Sequence, residues 1–172
     1  MIQIALADEQ LSFDCAGARL CAAARMVLER AGIRTAVISL AVVNDPTIRA
    51  LHRAYLGRDE ATDVLSFPLE QSAGRLEGEV VVSAETAARV APRYGWRAAD
   101  ELLLYVIHGT LHLVGYDDRA AADVAAMRAA ERDVLAQFGL VARPPRTGRA
   151  RGASSTKPVN RRARSGKGAR SP

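Results

Sequence analysis

The chain is poor in the residues from which most metal and redox centres are made. It holds two cysteines, three histidines and one tryptophan in 172 residues, and aromatic residues make up only 5%. Cys15 and Cys21 lie six apart within a helical pattern and form no C-x-x-C pair. They read as ordinary buried thiols in a reducing compartment. No apolar run is long enough to cross a bilayer. The first residues, MIQIALADEQLS, are acidic and lack a signal-peptide pattern, so a cytoplasmic location with no membrane partner is expected. There is no internal repeat.

Negative charge is missing altogether from one stretch. Residues 143–172 contain ten of the 24 Lys and Arg and none of the acids. The remaining 14 basic residues face all 19 acidic ones, so the overall charge of +5 divides into a body of −5 and a strongly basic tail. The tail is rich in Pro, Gly and Ser and has almost no large apolar residues. It is expected to be disordered, because it cannot bury enough surface to offset the entropy of ordering. The expected organisation is one domain over 1–142, long enough for a proper core, followed by a basic tail over 143–172.

Within the body, Ile2, Ile4 and Leu6 alternate as a strand does. Cys15 to Arg30 reads as a helix ended by Gly32, and Thr35 to Val43 as a buried strand. Asn44-Asp45-Pro46 starts a second helix that stops by Gly57. Val64 to Phe67 is a short strand stopped by Pro68, Glu70 to Gly78 a loop, and Glu79 to Val82 a further strand. Ser83 caps a helix that Pro92 bends or ends. Asp100 is placed to cap a long apolar helix, and a last helix runs from about Ala120 to Phe138. The order predicts an α+β fold: a mixed sheet of about four strands packed with about five helices.

Two of the three histidines stand at His108 and His112, four apart on the apolar helix. That spacing puts both imidazoles on one face, where they can reach a single ion. Gly115 can end the helix and turn the chain, bringing Asp117 or Asp118 within reach as a third ligand; spacing alone does not choose between them. Two imidazoles buried without partners among Leu102, Leu103, Leu104, Val106, Ile107 and Leu111 would be costly. Three protein ligands leave a coordination position open, as catalytic metals require. The set suits zinc in hydrolases and ferrous iron in oxygenases. His52, between Arg49 and Arg53, reads as a solvated surface residue. Thr62, Asp63 and Ser66 read first as hydrogen-bonding supports of a loop, with lining a groove beside the metal as the alternative.

The spacing of the two histidines and a later ligand resembles the metzincin proteases, but Gly109 stands where those enzymes carry the Glu that acts as general base. A metalloprotease-like reaction is disfavoured on that ground. His108-Gly109-Thr110-Leu111-His112-Leu113-Val114-Gly115-Tyr116-Asp117-Asp118 is closer to the signature of the YbeY family of bacterial endoribonucleases. Two further blocks agree: Tyr55 to Pro68, ending in Thr62-Asp63-Val64-Leu65-Ser66-Phe67-Pro68, and Glu77-Gly78-Glu79-Val80-Val81-Val82-Ser83. The resemblance covers about residues 35–138. It implies a zinc-dependent hydrolase, one ion per chain, that cleaves single-stranded RNA in ribosomal RNA maturation at the small subunit. It places Asp118 where the family has its third zinc ligand, a histidine. Leu56 stands where the family has an arginine thought to act in catalysis. Arg58 is the candidate replacement, to stabilise negative charge on phosphorus, and Arg53 the alternative. No general base is visible beside His108; a metal-activated water, Asp117 and the RNA 2′-hydroxyl are the candidates. The competing function is a non-catalytic ribosome assembly factor that keeps its metal for stability.

Overall fold

A computed structural model describes residues 1–72 and 75–141. The basic tail therefore lies outside the described residues. In chain order the elements are β1 (Ile2–Asp8), α1 (Gly17–Arg30), β2 (Thr35–Val43), α2 (Asp45–Leu56), β3 (Val64–Ser72), β4 (Arg75–Ser83), α3 (Ala84–Val90), a 3-10 turn (Ala91–Tyr94), α4 (Ala98–Leu113) and α5 (Ala121–Gln137). The strands form one mixed sheet in the order β1-β2-β4-β3. β1 and β4 both run parallel to β2, and β3 is antiparallel to β4. The α+β architecture expected from the sequence is the one observed.

The period-2 alternation of the strands divides the apolar residues between two faces. Ile38, Leu40 and Val42 of β2 and Leu76, Val80 and Val82 of β4 join α1, α4 and α5 in the main core. On the opposite face Val43, Leu65 and Val81 meet Ile48 of α2 in a smaller cluster. α4 lies at the centre of the main layer and is buried along nearly its whole length, as a helix apolar on all sides should be. It runs close against the sheet at two glycines. A Cβ on Gly78 would come within 3.0 Å of Leu113, and one on Gly109 within 2.6 Å of Val80 and 2.8 Å of Val64.

Three local expectations are corrected. β3 does not stop at Pro68 but continues to Ser72, and β4 begins at Arg75, so most of the expected 70–78 loop is a strand pair. Pro68 is tolerated because β3 is an edge strand, and the register shifts between Pro68 and Glu70. Several residues of these strand ends, Glu70, Gln71 and Arg75 among them, are exposed and polar, which interrupted the apolar signal. Asp100 is not the cap of α4; Arg97 occupies that position without a side-chain hydrogen bond. Asp100 sits in the first turn and binds the Arg19 guanidinium of α1 at 2.5 Å. His52 is not a surface residue. It is 4% exposed, and its Nδ1 lies 2.8 Å from the carbonyl of Glu60.

Candidate metal centre

The last two turns of α4 and the turn after it bring His108, His112 and Asp118 together. One ligand atom from each lies within 4.8 Å of the others. The helix ends where Leu111, His112 and Thr110 carbonyls take the last amides, and Gly115, with φ of 98°, reverses the chain. Asp117 and Asp118 are then separated by orientation. Asp117 Oδ1 accepts the Asp118 amide at 2.8 Å and faces Arg119 at 3.6 Å. Asp118 Oδ2 turns inward, 4.0 Å from His108 Nε2.

Each imidazole is held from behind. His108 Nδ1 lies 2.7 Å from Glu131 Oε1 on α5, and His112 Nδ1 lies 2.9 Å from the Tyr116 carbonyl. Both partners are acceptors, so each Nδ1 must be the protonated nitrogen and donate. In the neutral rings both Nε2 atoms then carry bare lone pairs, and these stand 3.0 Å apart. Two lone pairs repel at that separation unless a cation lies between them. Burial, then the neighbouring His108, push the His112 pKa below the ordinary imidazole value despite the pull of Asp118, which disfavours a proton there. Asp118 Oδ1 is buried and has no hydrogen-bond partner. Two aimed nitrogens and an orphaned carboxylate oxygen fit a divalent cation of the zinc type.

The structure also explains Gly109. Its Cα faces the sheet, where a Cβ would fall 2.9 Å from Ser66 Oγ as well as against Val64 and Val80, and Ser66 Oγ donates to the Gly109 carbonyl at 2.9 Å. A glutamate at this position would enter the core, not the metal site. Ser66 is thereby a structural residue, as are Thr62, which donates to Asp63, and Asp63, which accepts the Val64 amide.

Arg58 is half-buried and lines a cavity of about 270 Å³ with His52, Thr62, Asp63, Glu101 and Tyr105. Glu101, Tyr105, His108 and His112 follow at helical spacing and share one stripe of α4. The cavity thus meets the stripe at its lower end; Glu101 is about 10 Å along the helix axis from His108. Arg53 points elsewhere, being 66% exposed and 4.0 Å from Asp59 on the surface. Glu131 was missed from the sequence. A signal existed: it follows Met127 by four residues and precedes Val134 by three, on the buried side of α5.

Fold and site together define a small α+β protein with a His-His-carboxylate cluster that could hold a metal ion, assembled on one helix and its following turn. The profile of a family described as "Endoribonuclease YbeY" matches residues 6–139. Proteins named Endoribonuclease YbeY are similar over most of the chain. That of Anaeromyxobacter dehalogenans (strain 2CP-C) is 44% identical over 139 residues, covering 80% of this chain and 72% of its own. That of Anaeromyxobacter sp. (strain Fw109-5) is 41% identical over 147 residues, covering 84% and 77%. A Thermotoga maritima protein solved in solution shares the fold, with a TM-score of 0.56 at 24% identity over 81% of this chain and 92% of that one. The chain belongs to the YbeY endoribonuclease family.

Proposed function

We propose that this protein is a zinc-dependent endoribonuclease that cuts single-stranded RNA during ribosomal RNA maturation, working on the small ribosomal subunit in the cytoplasm. The observation that carries the reading is the pair of bare Nε2 atoms 3.0 Å apart beside the buried, unpaired Asp118 Oδ1. His108, His112 and Asp118 are assigned as the ligands, and zinc bound there would act as a Lewis acid toward water and the phosphoryl group. Asp117 shapes the turn that delivers Asp118. Arg58 is assigned to the RNA, its guanidinium countering the charge that builds on phosphorus. Residues 1–142 form the nuclease body, and residues 143–172 attract RNA through counterion release.

The decisive experiment measures zinc content and single-stranded RNA cleavage for the wild type, Asp118→Ala and Asp118→His. About one zinc and active cleavage are expected in the wild type, loss of both with Ala, and recovery with His. Metal and activity surviving in Asp118→Ala would remove Asp118 from the ligand set. Leu56, where the family carries arginine, favours a second reading as a non-catalytic assembly factor. Zinc binding without any RNA cleavage, with the fold intact, would select it.

A further inference from the structure

α5 is held to the body by little apolar surface, since only Met127, Val134 and Leu135 along it are buried. Yet a carboxylate occupies the same side of the helix. Glu131 has a side chain only 12% exposed and meets His108, 8% exposed, at 2.7 Å. An ionisable group placed among a helix's few apolar anchors costs stability unless it gains a specific partner. The partner it finds is the outer nitrogen of a residue whose inner nitrogen faces the metal position.

We infer that Glu131 is a positioning residue of the metal centre, and that through it zinc loading tightens the docking of α5. The inference rests on the reading of His108, His112 and Asp118 as a metal site. Glu131 Oε1 accepts from His108 Nδ1, which fixes the proton there and leaves Nε2 bare and aimed at His112 Nε2. Without that acceptor the imidazole is free to carry its proton on Nε2 or to turn, and without the carboxylate charge behind it Nε2 is a less basic ligand; each change weakens metal binding. The coupling is reciprocal: by whatever factor the Glu131 contact raises zinc affinity, bound zinc strengthens the hold of α5.

The test uses the full chain with zinc as the probe. Zinc affinity is measured by competition with a chromophoric chelator, and α5 amide exchange with and without zinc, for the wild type, Glu131→Gln, Glu131→Ala and His112→Ala. Glu131→Gln retains size and an acceptor oxygen but loses the charge. It is expected to keep the melting temperature of the metal-free protein while weakening zinc binding by about 10–100-fold. Zinc should slow α5 exchange in the wild type and do so much less in the Gln variant. Unchanged zinc affinity in Glu131→Gln overturns the inference. So does a Glu131→Ala protein with a lower melting temperature but wild-type affinity, which would mark an ordinary structural contact. Equal zinc binding by the wild type and His112→Ala would instead sink the metal-centre reading itself, independently of Glu131.

Discussion

Asp45 shows how one carboxylate is used when no metal is involved. It accepts from Ser83 Oγ at 2.5 Å, Thr86 Oγ1 at 2.7 Å and Arg89 Nη1 at 2.8 Å, tying the start of α2 to the start of α3. Burial alone would raise its pKa, but the hydrogen bonds from Ser83, Thr86 and Arg89 and the Arg89 charge outweigh that and lower it. The folded-state value lies below the unfolded one. The stabilisation is therefore fully present above the ordinary carboxylate range and disappears as pH falls through the depressed value. Urea unfolding of wild type and Asp45→Asn should differ at pH 7, and the gap should narrow as pH falls below the ordinary carboxylate range; an undiminished gap in acid would contradict this. Asp45 was legible as part of a helix start, but its partners lie about 40 residues away and no local pattern announces them. The histidine pair was legible because helical spacing alone brings it together. His52 was misjudged from its arginine neighbours, although its position four residues after buried Ile48 carried the opposite message.

Among the elements, α4 is the axis to which the others are fitted. Its first turn is anchored by Asp100, which binds Arg19 of α1, and the Arg19 guanidinium also lies 5.7 Å over the Phe138 ring just past α5. One arginine thus joins three helices at the end of α4 opposite the metal position. Arg19→Ala should cost about 1–2 kcal/mol in urea unfolding, as a half-buried, charge-assisted hydrogen bond does, and leave zinc content unchanged. Loss of zinc in that variant would mean the two ends of α4 are not independent. Element boundaries were readable wherever burial imposed a pattern. β2 spans the residues its β-branched run suggested, and α2 starts where Asn44 accepts from the Thr47 amide at 2.9 Å. The paired ends of β3 and β4 were not readable, because Glu70, Gln71, Arg75 and Glu77 face solvent or lie near it and are held by backbone pairing.

For the whole molecule the charge split sets the expected behaviour toward RNA. A body of net −5 repels a polyanion on average, and the ten cations of residues 143–172 reverse the sign. Removing residues 143–172 should weaken single-stranded RNA binding at low salt and flatten its salt dependence while leaving zinc content intact. Equal affinity with and without these residues would assign RNA capture to the body alone. Composition made this division visible without any structure, whereas the contact between Glu131 and His108 needed the folded chain, because 23 residues and a helix reversal separate them.

The close seat of Gly109 on Val64, Ser66 and Val80 has a chemical corollary. Helical metalloproteases obtain their proton acceptor from the residue beside the first histidine. On this scaffold that address is occupied by the floor of the sheet, and a side chain installed there would run into Val64, Ser66 and Val80. An engineer wanting a protease from this frame would have to bring the acceptor from another element. RNA, with a hydroxyl beside every phosphate, would bring its own nucleophile, but the proton that hydroxyl sheds would still need an acceptor from another element.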